Sequence, residues 1–207
     1  MVTRYQFIEK ILRQVYGGQP SQDSEISFNL ANTWLSEAIA AAAKKNYVDA
    51  VSLDGIAYVN NSFYTTYKGL DIVSDRQFIY KIAMPDMPIG IGRNEGVASV
   101  KIQDGLNFSY DVVMLSANQL GYIDGMRPIP NKVLGWSEGA FFYVITSMQL
   151  YKYKALVRMI SGGDSSNLDS ILNVPSDYLP MMSDYLTNAF LKERQMPKDV
   201  VNDGVDN

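Results

Sequence analysis

The 207-residue chain reads as an α+β protein. It has an N-terminal helical hairpin over residues 1–49, an antiparallel β-rich middle domain over 50–161, and a part over 162–207 comprising a linker, a C-terminal helix and an extended polar tail. Three observations predict this. Apolar residues recur at three- and four-residue spacing in three separate stretches, 7–15, 30–42 and 178–190. Between the second and third lie short runs rich in Val, Ile, Tyr, Phe and Thr, divided by Asn- and Gly-containing turn signals. No long helical pattern separates those runs, which favours antiparallel pairing over βαβ units.

The first helix lies in TRYQFIEKILRQVY, where Phe7, Ile8, Ile11, Leu12 and Val15 share a face, Thr3 is placed to cap and Gly17-Gly18 to stop. In the second, Leu30, Ala31, Trp34, Leu35, Ala38, Ile39 and Ala42 form one stripe. Ser24 or Ser27 can supply its cap oxygen, and Lys44-Lys45 suit the negative end of the helix dipole. The two helices are expected to pack antiparallel, burying Trp34, Leu35 and Ile39 against Ile8, Leu12 and Val15. Between them, VYGGQPSQDSEIS has the glycines and serines of a phosphate-cradling loop. Such a loop needs a preceding strand and a lysine at the helix start. Here a helix precedes it and no lysine lies between Lys10 and Lys44, so the segment reads as a corner.

The β runs are IAYV, SFYTTYKGL, RQFIYKIAM, GVASVKI, FSYDVVML and AFFYVIT. Turn signals fall at Asp54-Gly55, Asn60-Asn61, Asn94-Glu95-Gly96, Asp104-Gly105 and Asp124-Gly125. SANQLGYID has room for a helical turn or two. YKALVRMIS reads as a strand, because Leu156, Arg158 and Ile160 alternate with Ala155, Val157 and Met159. GGDSSNLDS, residues 162–170, is the most linker-like segment. The third helix places Tyr178, Met181, Met182, Tyr185, Leu186, Ala189 and Phe190 on one face, with Ser176 as cap and Pro180 tolerated in the first turn. The tail MPKDVVNDGVDN is polar.

Composition narrows the chemistry. The chain has no cysteine and no histidine, which removes disulfides, thiolate nucleophiles, Cys-ligated metals and every Ser-His or Cys-His arrangement. Its net charge of −4 argues against a surface that grips nucleic acid. No Asp-Gly pair continues into a calcium loop, and GIGRNEG misses the dinucleotide fingerprint by one residue. Seven acids lie in the β region (Asp54, Asp75, Asp86, Glu95, Asp111, Asp124, Glu138), and nothing in the sequence pairs them. These readings predict a non-enzymatic protein without cofactor or metal. The fourteen tyrosines offer core, interface or sugar-stacking material. No run reaches the roughly 18 apolar residues of a membrane span, and the charged N-terminus lacks a signal-peptide core, so synthesis in a cytoplasm is expected.

Three stretches together resemble structural proteins of tailed bacteriophages, notably the crAss-like phages: IEKILRQVYGGQPSQDSEISFNLANTWLSEAIAAAAKKNY, YTTYKGLDI with its flanks, and RQMPKDVVNDGVDN. A Trp-x-Glu-Gly step at Trp136 to Gly139 stands between the last two. The resemblance is to a head–tail connector or tail ring protein, and that family carries no catalytic signature. It implies a virion protein, made in the host cytoplasm, that closes with copies of itself into a ring, a dodecamer under portal symmetry. The ring contacts the portal and neighbouring tail proteins and meets DNA only in transit. The residues themselves offer an interface for such an assembly on the last helix and on the tail, whose few apolar groups suit a neighbouring chain: Met181, Tyr185, Lys198, Asp199, Val200, Val201, Asn202 and Asp203. A carbohydrate-binding β-domain on a phage or bacterial surface, using exposed tyrosines, is the alternative.

Overall fold

The computed structural model describes residues 2–18, 26–91, 96–104, 109–115, 117–121 and 127–195. Helix α1 spans Arg4–Tyr16. Thr3 Oγ1 accepts from the Gln6 N–H at 3.2 Å while the Gln6 side chain accepts from the Thr3 N–H at 3.1 Å, a reciprocal cap. Gly17 ends the helix in the left-handed conformation, and the corner resumes at Ser27, whose hydroxyl accepts from the Leu30 N–H. Ser24 and the rest of 19–25 lie outside the described residues.

Helix α2 spans Phe28–Asp54 and so runs past residue 49 and past Lys44-Lys45, which are mid-helix. Its apolar stripe continues through Ala43, Tyr47 and Ala50. Asp54-Gly55, expected as a hairpin turn, is instead the helix stop, with Gly55 at φ 67°. Glycine's access to positive φ serves both uses, so the dipeptide alone does not distinguish them. The following IAYV pairs with no strand; only Val59 of it is buried.

The last long helix, α4, spans Leu179–Gln195 and follows a 3₁₀ turn over Ser176–Tyr178. Ser176 lies inside that turn and does not cap; Pro175 precedes it without a side-chain cap. The expected two-helix hairpin is therefore a three-helix layer. Met182, Leu186 and Phe190 of α4 join Ile8, Ile11, Leu12, Leu35, Ala38 and Ile39 in one core. Trp34 is only half-buried, with its ring 5.3 Å from that of Phe190. Helix α4 runs antiparallel to α2: Tyr178 bonds Asn46, Tyr185 bonds Glu37, and Phe190 meets Trp34.

The strands are β1 (Tyr64–Arg76), β2 (Ile79–Ala83), β3 (Val97–Gln103), β4 (Ser109–Asp111), β5 (Val113–Met114), β6 (Leu134–Glu138), β7 (Phe141–Ile145) and β8 (Lys154–Ile160). They follow the order β4-β3-β8-β1-β2-β7-β6-β5, antiparallel except for the β5–β6 pair. A four-residue helix, α3 (Ala117–Leu120), follows β5. Strand β1 switches partners along its length: Tyr64–Asp71 pair with β8 and Ile72–Arg76 with β2. A register shift between Tyr67 and Leu70, with Gly69 at φ 73°, makes the corner.

The opposite corner is the segment 109–115. Val112 donates to the Val100 carbonyl of β3 and Val113 donates to that of Val133 before β6, so the two ends of the sheet are one continuous piece of chain. The result is a flattened barrel of two half-sheets. Its interior holds Ile82, Val97, Val100, Ile102, Phe142, Val144, Ala155, Val157 and Met159. Gly135 of β6 is required there, because a Cβ would stand 2.6 Å from the Phe142 ring and 2.7 Å from Val112. Outside, Ile79, Leu134, Trp136 and Ile145 form a second cluster with Leu115 and Leu120. The helical layer covers the start of β1 and the end of β8 through Phe63 and Ile160.

Candidate functional site

The interface residues expected on α4 divide. Met181 is half-buried and Tyr185 is exposed, its hydroxyl donating to Glu37 Oε2 at 3.2 Å; the buried face belongs to Met182, Leu186 and Phe190. Lys198, Asp199, Val200, Val201, Asn202 and Asp203 lie outside the described residues. The helix that leads to them is anchored at its end, where Arg194 donates to the Val15 carbonyl at 2.9 Å and stacks on Tyr16.

Another group of exposed apolar side chains sits at the other end of the helical layer. The last two turns of α2 and the loop after it expose Val48, Val51, Leu53, Ile56 and Tyr58, with Leu53 84% exposed. Of these, Tyr58 lines a cleft of about 210 Å³, together with Tyr47, Val59, Tyr64, Ala98 and Ile160, among others. Two charged residues contact its lining tyrosines. Asp54 accepts from the Tyr58 hydroxyl at 3.3 Å. The Arg158 guanidinium lies 4.9 Å over the Tyr64 ring and donates to Asn61 Oδ1 at 3.0 Å. Burial pushes the Tyr64 phenol up, with Arg158 acting against it. An aromatic, apolar cleft whose tyrosines contact one carboxylate and one guanidinium suits an apolar side chain flanked by charges.

The acids of the β region are dispersed. Asp75 pairs with Lys81 and Arg76, Asp111 with Lys101, and Glu138 accepts from the Trp136 indole. Asp54 closes α2, while Glu95 and Asp124 lie outside the described residues. Among the described residues no group of three or more His, Cys, Asp or Glu could hold a metal ion, and no helix is long and apolar enough to cross a membrane. GIGRNEG leads into strand β3 rather than a helix, and Gly96 is packed against the Ile89 backbone where a Cβ has no room.

Two built features escaped the sequence reading. Arg4 is fully buried, donating from Nε to Asn32 Oδ1 at 2.9 Å, from Nη2 to Ser36 Oγ at 2.7 Å and from Nη1 to the Gly162 carbonyl at 3.4 Å. Burial lowers its pKa, with Asp86, Tyr67 and Asp164 partly countering. Its spacing to Phe7, Ile8 and Ile11 places it on the apolar face of α1, which was the available signal. The linker-like GGDSSNLDS is a packed loop. Arg4 and Tyr5 N–H groups donate to Ser170 and Leu168 carbonyls, Gly163 donates to Thr65 Oγ1, and Gly162, at φ 64°, touches Ile39 where a side chain would clash.

No protein-family model and no curated protein matches this chain.

Proposed function

We propose that the protein is a non-enzymatic virion subunit that forms a ring, a dodecamer, at the portal–tail junction of a tailed phage, through which genome and ejected proteins pass. The observation that carries this is the exposed apolar end of α2, Val48 to Tyr58, beside its cleft. A cluster of exposed apolar side chains at one end of a helix is material that a subunit interface can cover. The sequence resemblance supplies the kind of assembly, and the net charge of −4 suits a channel that DNA passes without sticking. In this reading the tail leaves α4 beside Val15 and seats Val200 and Val201 on a neighbouring subunit, with Asp199 and Asp203 meeting basic residues there.

Electron microscopy of the purified protein mixed with its portal, and of virions carrying a tagged copy, tests the reading. Rings on the portal and label at the neck are expected. A protein that ignores both portal and virion would end it.

A second reading rests on a different surface. Tyr110 and Tyr153 meet edge-on at 6.1 Å, and Tyr151, two residues earlier, is exposed. Exposed aromatic faces of this type stack on sugars. Saturable binding on a glycan array, lost on Tyr151→Ala, would favour a carbohydrate-binding β-domain.

A further inference from the structure

The turn from β1 to β2 consists of Gln77 and Phe78, between the paired residues Arg76 and Ile79. Phe78 has φ of 65°. That is the left-handed region, which glycine or asparagine enters freely and which strains a bulky side chain. The Phe78 carbonyl is held by the Thr146 N–H at 3.1 Å, but the residue remains 43% exposed. A partly exposed aromatic ring on a strained backbone is a candidate contact for a partner.

The partner's chemistry is present at the far end of the same strand. Tyr64, the first residue of β1, lines the apolar cleft beside α2. Phe78 is not among the residues that line the cleft, so turn and cleft do not meet within one chain, but they can meet between two. Each patch carries charges of both signs: Asp75, paired with Arg76 and Lys81, flanks the turn, and Arg158 and Asp54 stand beside Tyr64 and Tyr58 of the cleft.

We propose that the β1–β2 turn of one copy inserts Phe78 into the cleft of a second copy, with Arg76 meeting Asp54 and Asp75 meeting Arg158. The two patches differ, so the contact is head-to-tail. Each added copy leaves one free turn and one free cleft, and such a series ends only by closing. This names the contact between subunits that the ring reading requires, and it rests on that reading for closure, not for the contact itself.

Sedimentation of the full chain over a range of concentrations tests the contact. Wild-type protein should associate with rising concentration. Phe78→Asn should weaken association at least ~30-fold, as loss of a buried aromatic anchor does. Its melting temperature should stay equal or rise, because asparagine tolerates the left-handed backbone. Ala98→Trp, which fills the cleft, should weaken association similarly. Mixed one to one, the two variants share a single intact turn and a single intact cleft, and should form dimers that grow no further. Association of Phe78→Asn equal to wild type would overturn the proposal, as would wild-type protein that stays monomeric throughout. Two folded variants that fail to pair when mixed would also overturn it. Absence from the virion neck would instead count against the ring reading, since none of these measurements involves the portal.

Discussion

Replacing Arg4 by alanine should destabilise the protein by about 3 kcal/mol, a large share of the roughly 5–15 kcal/mol that holds a domain folded. The magnitude follows from its surroundings. The bonds to Asn32 and Ser36, at 2.9 and 2.7 Å, come from a charged donor and contribute ~1.5–3 kcal/mol each; the one to Gly162, at 3.4 Å, adds little. Against them stands the cost of burying a cation with no carboxylate in contact, several kcal/mol, which the alanine variant no longer bears. Alanine leaves an unfilled space and strands the Asn32 and Gly162 oxygens, while Ser36 keeps its bond to the Asn32 carbonyl. Arg4→Met refills most of the space without donors and should cost about 1–2 kcal/mol. Urea unfolding at constant slope measures both. If Arg4→Met unfolds at the same urea concentration as wild type or a higher one, desolvation outweighs the hydrogen bonds and the stabilising role assigned to Arg4 is wrong.

Phe190→Ala should cost ~3–5 kcal/mol in the same assay, whereas Trp34→Ala, at a half-buried site, should cost only ~1–2 kcal/mol. Stability should fall at alkaline pH. Burial raises the pKa of Tyr64 and Tyr67 above the unfolded value of about 10. Their contribution is therefore complete below that pH and lost as pH rises through the folded values, which a pH series of melting temperatures will reveal. Deleting residues 197–207 should leave the melting midpoint nearly unchanged and weaken ring formation on the portal; full, DNA-retaining virions from the truncated gene would show that the tail has no role in assembly.

Elements whose side chains speak for themselves were legible. Strand β8 was found because Ala155, Val157 and Met159 fill the barrel while Leu156 and Arg158 do not. Strand β6 was missed because its inward position is Gly135, which has no apolar side chain to register, although packing demands its smallness. IAYV showed the opposite failure: β-type residues with no strand alongside them. RQFIYKIAM read as one run because the turn inside it contains neither glycine nor asparagine, so Phe78 was invisible as a corner. The cleft draws on residues from 47 to 160, and no local pattern announces a surface assembled from such distances.

The interleaving of the chain's ends governs how the protein must be made. Tyr64 pairs with Ile160, Arg4 donates to Gly162, and Val15 receives Arg194. At ~5–20 residues per second, a ribosome leaves β1 without β8 for ~5–20 seconds, and α1 without α4 for longer still. During that interval the helices lack the face that Met182, Leu186 and Phe190 will supply. The first half of the nascent chain should therefore stay open to proteolysis and to chaperones until nearly the last helix emerges. The finished subunit should then unfold as one cooperative unit, with no stable intermediate built from either end.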